Sequence, residues 1–430
     1  MIHLCYDIVR KCAVRREEMI QAIEITDLEH DQFVKDHPLG DMCQLISWAK
    51  VKAQFDWQWD RVSVGDGQKI TGVSTLLYKK IPLINKTICY APRGFILDWN
   101  DSETLASLLE AVKVNAKKHD AILIKVDPNI DREEDHYLTL FQKLGFKHQG
   151  FSLGFKDGIQ PRFVMVTDIS LEEKKLLKSF VSKTRTDVRK SGRFGLIFED
   201  APLEKMSIFS RLMDETGERD GFLTRNVSYF EEIYKQMNPQ NEAKLFLVKM
   251  VADETIDSLQ KEIVKREKEI RQLMKRDLTE GSQHQIDILN RSIENNQALI
   301  KEIKAMPDQE IYLSGGIFIQ SGPKSYYLYG ASSNNFRDLL PNYFMIWQMM
   351  LYAKAQGCTS FDFGGVSGMD DLPEEEDEAP GLYTFKKQWN AQKEERIGEF
   401  DHILSPMWYR IYQWAMAVRK WKIKMMKSDV

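Results

Sequence analysis

Cysteine is scarce in this chain, and scattered. The five cysteines, Cys5, Cys12, Cys43, Cys89 and Cys358, form no Cys-x-x-Cys pair. They support neither a disulfide framework nor a zinc site, and a reducing cytoplasm is the expected compartment. Long apolar runs are missing as well. No stretch of about 18 uncharged apolar residues is present, the length a membrane-crossing helix needs, and the N-terminus lacks the apolar core and small-residue cleavage site of a signal peptide. The eight histidines fall in no Ser-His-Asp, Cys-His or metal-ligand pattern. Excess charge is small: a net −4 argues against a protein that coats nucleic acid.

What the chain does have is apolar material, 43% of 430 residues, enough for two or three well-filled domains. Residues 1–22 follow no clear period and read as a detached leader, with Met19 an alternative start. Beyond them LISWAKVKAQF has helical spacing, ITGVSTLLYKKI and TICYAPRG read as strands, and TLASLLEAVKVNAKKH reads as a helix. AILIKVDPN is a buried strand ending in Asp-Pro, and DHYLTLFQKLGF is a helix closing at Gly145. A similar cycle restarts near Pro161. It runs through strand RFVMVTDI, helices LEEKKLLKSF, KMSIFSRLMDETGER and SYFEEIYKQM, then strands AKLFLVKMV, IYLSGGIFIQ and SYYLYGAS, helix NYFMIWQMMLYAKAQG and strand FDFGG. The fold class is therefore α/β (α+β), as two related domains: 23–160 plus 399–430, and 161–398.

The second domain is interrupted at 254–306. Apolar residues recur there at heptad spacing, at Ile256, Leu259, Ile263, Ile270 and Leu273, and again at Ile286, Leu289, Ile293, Ile300 and Ile303. Folding the segment back at Glu280-Gly281-Ser282 pairs Ile256 with Ile303, Leu259 with Ile300, Ile270 with Leu289 and Leu273 with Ile286. An antiparallel coiled-coil hairpin is expected, each arm about 30–35 Å long, with Arg266 and Asn296 at two core positions that set its register.

Three charged stretches stand out. KTRTDVRKSGR, from Lys183, is basic, with Lys183, Arg185, Arg189 and Lys190 candidates for phosphate contact. The stretch from Met407 places Arg410, Arg419, Lys420, Lys422, Lys424 and Lys427 among tryptophans and tyrosines, which suits either a solvated helix face or a membrane-surface contact. The acidic run MDDLPEEEDEAP, residues 369–380, is a mobile loop or a lid.

Taken in order, HDQFVKDHPLGDMCQLISWAKVK, IKVDP, IQPRFVMV, SKTRTDVRKS, GERDGFLTR with SYF two residues later, YYLYGASS, FDFGG, GLYTFKK and IGEFD resemble the FemABX aminoacyltransferases, most closely the FemX type. The resemblance spans residues 23–425. It implies two GNAT-like domains, with the helical arm inserted in the second. It also implies transfer of an amino acid from aminoacyl-tRNA, the co-substrate, to the lysine ε-amine of the peptidoglycan stem peptide. The acceptor would be lipid II at the cytoplasmic membrane face, or soluble UDP-MurNAc-pentapeptide. Glycine is the expected donor residue, with alanine or serine as alternatives, and related aminoacyltransferases are expected partners. An aminoacyl ester is already activated, so alignment of the amine and stabilisation of the oxyanion suffice, and no cofactor or metal is implied.

Carried over position by position, the resemblance makes Lys52 and Arg225 contacts of the acceptor diphosphate. Tyr229 and Tyr329 become pocket tyrosines that hydrogen-bond the acceptor. Asp127 matches a carboxylate that orients or deprotonates the amine; read alone, it caps an Asp-Pro turn. Lys386, preceded by the substrate-binding Phe385, matches a lysine near the tRNA terminus and the tetrahedral intermediate, with Lys387 as its substitute in a shifted register. Two competing readings remain: an acetyl-CoA-dependent acetyltransferase, for which RKSGRFG is a poor pyrophosphate loop, and a non-enzymatic RNA-binding scaffold.

Overall fold

The computed structural model describes residues 20–428, except 83, 155–157, 276–278 and 369–379, and beyond residue 418 only the backbone course. Most of the leader and nearly all of the acidic run therefore lie outside the described residues.

Among the described residues, fifteen strands build two mixed sheets. The first contains β1 (Gln21–Ala22), β2 (Trp57–Gly65), β3 (Ile70–Lys80), β4 (Thr87–Ala91), β5 (Ile96–Leu97), β6 (Ala121–Val126) and β7 (Phe146–His148). The second contains β8 (Phe163–Asp168), β9 (Ile197–Ala201), β10 (Ala243–Val251), β11 (Glu310–Ser321), β12 (Lys324–Ser332), β13 (Ser360–Val366) and β14 (Gln392–Glu395). The last strand, β15 (Phe400–Ile403), returns to the first sheet between β6 and β7. The strand orders are β1-β2-β3-β4-β6-β15-β7, with β5 beside β3, and β14-β8-β13-β12-β11-β10-β9.

Each sheet holds one parallel pair among its described strands, β4 with β6 and β12 with β13. The second pair is short. Only Lys324 to Tyr326 of β12 meet Ser360 to Asp362 of β13; beyond them the strands are no longer bonded to one another. That opening leaves the ends of YYLYGAS and FDFGG unpaired with one another.

Local chemistry explains the element ends. The helix Ser102–Lys118 starts where the Asp101 carboxylate accepts the amides of Glu103 and Thr104. The helix Asp27–Asp36, which carries little periodic signal, is set by a capping box between Thr26 and Glu29. The inserted segment forms helices Ala252–Leu273 and Glu280–Ala305. Leu259 is buried with Leu299 and Ile303 near the base, and Ile270 with Ile286 and Leu289 further out. The chain does not reverse at Glu280-Gly281-Ser282. Those residues are the first turn of the second helix, because the Thr279 hydroxyl accepts the Ser282 amide and caps it; the reversal comes earlier.

The two sheets are joined through apolar packing. Val34, Leu45, Trp48 and Val51, from the helices Asp27–Asp36 and Ile46–Ala53, share one core with Phe209, Phe230, Leu245, Ile317 and Tyr326. Charged groups reinforce the junction. Lys35 pairs with buried Glu242 at 2.6 Å, Ser47 donates to the same carboxylate, and Lys324 donates to the carbonyls of Pro38 (2.6 Å) and Gly40 (2.7 Å). Gly322 fits this junction only as glycine: its φ is +56°, and a Cβ would run into the Lys35 carbonyl. Gly322→Ala is expected to cost about 2–4 kcal/mol in chemical denaturation, the left-handed penalty plus displaced packing. Gly67→Ala, at φ +86° with open space around it, should cost about 1–2 kcal/mol. Equal losses would show that the junction does not depend on that close approach.

Candidate active site

Two elements bring cations to the end of β12. The helix Ile46–Ala53 begins where the Asp31 carboxylate accepts the Ile46 amide at 2.8 Å. One turn apart on it, Trp48 and Lys52 meet, with Lys52 Nζ 4.3 Å from the indole centroid. Nζ donates to the Tyr229 hydroxyl at 3.1 Å. Tyr229 stands in the first turn of the helix Val227–Met237, whose cap, Asn226, accepts the Tyr229 amide. The Arg225 guanidinium lies 5.1 Å from the Tyr229 ring centroid, and Tyr329 meets that ring edge-on at 6.2 Å. Lys52, Arg225, Tyr229 and Tyr329 therefore form one cluster.

Neither Lys52 nor Arg225 has a carboxylate within ion-pair distance among the described residues. Burial lowers the Lys52 pKa, and burial raises those of Tyr229 and Tyr329, so both phenols stay protonated at neutral pH. Two cations and two hydroxyl donors without an anion make a site for a ligand with a charged oxyacid group.

Asp127 has a different set of partners. It directly follows β6 and is 3% exposed. Its Oδ1 accepts the backbone amide of Arg93 at 2.9 Å, and the Arg93 guanidinium stands 3.6 Å from Oδ2. Burial pushes the carboxyl up to about 6, against the pull of Arg93. Arg93 is itself buried, holds φ +54°, and donates to the Pro161 carbonyl at 2.7 Å. Sequence reasoning passed over Arg93; its signal was the Pro-Arg-Gly turn closing TICYAPRG. Cys43 is buried, and burial pushes its thiol up.

Lys386 lies on a further element. The helix Pro380–Lys387 directs it inward, 6% exposed, so that Nζ donates to the Gly365 carbonyl at 2.7 Å, beyond the point where β13 parts from β12. Burial brings it down to about 8, with the half-buried Asp362 opposing. Asp362 is raised to about 6, chiefly by burial, while accepting the Gly364 amide. Lys387 is exposed and lies over the Tyr383 ring, 5.3 Å from its centroid, so only Lys386 reaches the strand. Phe385 is half-buried against the second sheet's core.

The basic stretch forms the helix Ser182–Ser191, anchored by buried Thr184 and Val188. It adjoins the Lys386 segment: the Val181 amide donates to the Gln388 carbonyl at 3.1 Å, and the Thr184 hydroxyl donates to the Gln388 side chain. Lys183 and Arg189 are exposed. Arg185 donates to the carbonyls of Phe180 and Lys178, and Lys190 lies 5.6 Å from the Phe194 ring centroid.

A cavity of about 430 Å³ between the sheets is lined by Asp41, Arg93, Lys324, Tyr326, Asp362 and Arg396, and by none of the residues singled out from sequence. Its cations are committed: Arg396 to Asp131 and Glu394, Lys324 to the two carbonyls. The cations of the Lys52 cluster, by contrast, have no carboxylate partner among the described residues.

The chain belongs to the FemAB family, whose model matches residues 25–417. It is a transferase enzyme, as its relatives are. It is 41% identical over 399 residues to lipid II:glycine glycyltransferase of Staphylococcus saprophyticus, covering 92% of this chain and 95% of that one. The Staphylococcus aureus protein of the same name is 41% identical over 420 residues, 95% of this chain and 99% of that one. The crystal structure of FemX superposes with a TM-score of 0.79 at 40% identity, covering 91% and 99% of the two chains.

Proposed function

We propose that this enzyme transfers glycine from glycyl-tRNA to the lysine ε-amine of the peptidoglycan stem peptide on lipid II, laying down the first residue of an interpeptide bridge. The amine nitrogen attacks the ester carbonyl, the bond to the terminal ribose oxygen breaks, and the tRNA leaves with its hydroxyl restored. The reading is carried by the unpaired Lys52–Arg225–Tyr229–Tyr329 cluster, a fit for the acceptor's diphosphate, in a chain 41% identical to lipid II:glycine glycyltransferases. Lys386, at the parted ends of β12 and β13, faces the developing oxyanion. Asp127 receives the proton that the amine loses, and that proton is then passed to the departing ribose oxygen. The exposed Lys183 and Arg189, on a helix adjoining Lys386, contact the tRNA. Each sheet is one GNAT-like half, and the paired helices form an antiparallel coiled-coil arm that stiffens the second. The enzyme works at the cytoplasmic membrane face, where its acceptor is held, and needs no cofactor.

The test supplies the purified protein with lipid II or, separately, UDP-MurNAc-pentapeptide, and with a tRNA pool charged with glycine, alanine and serine. A ribonuclease-sensitive gain of one glycine on lipid II is the expected result; no gain on either acceptor sinks the proposal. Replacing Lys52 or Arg225 by alanine should raise the acceptor KM about tenfold each, the worth of one charge-assisted contact. The donor KM should stay put, and a matching rise there would move both cations to the tRNA side.

A further inference from the structure

The helix Pro406–Ser428 starts on the first sheet with one face only. Tyr409 is buried, its hydroxyl donating to the Asp401 carboxylate at 3.1 Å, and Trp408 and Tyr412 pack with it against Ile122 and Leu123. The opposite side is bare: Met407 is 62% exposed, Ile411 45% and Trp414 70%. Their spacing of four and three puts them on one stripe. In sequence the same alternation runs on through Val418, Trp421 and Met425.

The charge around this stripe has one sign. From Met407 to Ser428 the chain carries Arg410, Arg419, Lys420, Lys422, Lys424 and Lys427, with no aspartate or glutamate, in a protein whose net charge is −4. This composition selects the occupant. A second copy of the helix would bring six more cations against these six. An RNA would take the cations but leave the apolar stripe in water. An anionic lipid surface satisfies both, with apolar side chains at the headgroup–acyl boundary and cations among the phosphates.

We propose that the helix Pro406–Ser428 is an in-plane membrane anchor, with Met407, Ile411 and Trp414 entering an anionic bilayer. The inference extends the lipid-linked reading of the acceptor: it supplies the surface on which an enzyme without a membrane-crossing helix among its described residues meets such a substrate.

The test uses the full chain and vesicles without lipid II, of phosphatidylcholine alone or with about a third phosphatidylglycerol. Wild type should sediment with the anionic vesicles and not the neutral ones, with binding weakened by salt. Ile411→Glu with Trp414→Glu should weaken binding at least tenfold while leaving thermal denaturation unchanged, since both side chains are exposed. Absence of binding to anionic vesicles overturns the proposal. So does binding that the double variant retains, or a concentration-dependent dimer or tRNA complex that the double variant loses with vesicle binding intact. A protein that glycylates lipid II in detergent yet ignores these vesicles loses the anchor and keeps the proposed activity.

Discussion

Lys386→Met is expected to leave a folded protein whose single-turnover rate, with both substrates bound, is about 10²–10³-fold below that of the parent. The residue sits where β13 has parted from β12, its ammonium held on the Gly365 carbonyl and enclosed by protein. A cation fixed in such surroundings stabilises negative charge far better than one in water, because little reorganisation is needed as the charge develops. Methionine matches the lysine stem in length and apolar character, so the fold is retained and the lost rate reports the charge. The exposed Lys387 is the control, and Lys387→Met should stay within about twofold of the parent. A rate for Lys386→Met within about threefold of the parent would remove Lys386 from the chemistry.

The same residue is expected to set the alkaline side of the pH profile. Burial brings Lys386 down to about 8, so its charged form is lost as pH rises through that value, and the rate falls with it. Asp127 is pushed up to about 6, so its proton-accepting form appears as pH rises through about 6. A maximum between these limits is expected for bound substrates. Lys386→Met should lose the fall above pH 8 and keep the rise near 6.

The second large effect concerns Asp127 and the arginine that holds it. Asp127→Asn preserves an oxygen for the Arg93 amide, so a residue that merely caps its turn would tolerate the change. A proton acceptor would not, and a loss of about 10²-fold or more is expected, with the rise near pH 6 abolished. Full activity in this variant would assign the proton to another group, including the departing ribose oxygen. Arg93→Met acts through the same carboxylate. Without the guanidinium at 3.6 Å, burial is opposed less and the Asp127 pKa climbs further. The acidic limb of the profile should move to higher pH, with activity at pH 7 reduced more than activity at pH 8. A uniform loss at every pH would make Arg93 a purely structural tie to Pro161.

Much of this architecture follows from local pattern. The run AILIKV is unbroken apolar sequence apart from one lysine, and it becomes β6, buried in the first sheet. The 3.6-residue spacing of TLASLLEAVKVNAKKH becomes a helix with Leu105, Leu108 and Val112 inside. The heptad spacing of the insert becomes two long helices with Ile270, Ile286 and Leu289 against one another, although Leu299 is buried deeper than Ile300, which the spacing favoured. Elements with mixed patterns were less legible. β2 reads WQWDRVSVG, and only its last three residues are buried, so little alternation remains to mark it. β15 is four residues long, FDHI, and owes its place to β6 and β7 on either side.

The sequence by itself determined the α/β class and the family, because hydrophobic period and motif order are local properties of a chain. Tertiary structure decided what those residues do to one another. It put Lys52 and Tyr229, distant in sequence, at 3.1 Å. It gave Asp127 Arg93 as a partner, and it turned Lys386 rather than Lys387 toward the parted strands. A carboxylate raised toward 6 and a lysine lowered toward 8 are products of burial and neighbouring charge. Neither quantity exists until distant segments pack together and exclude water.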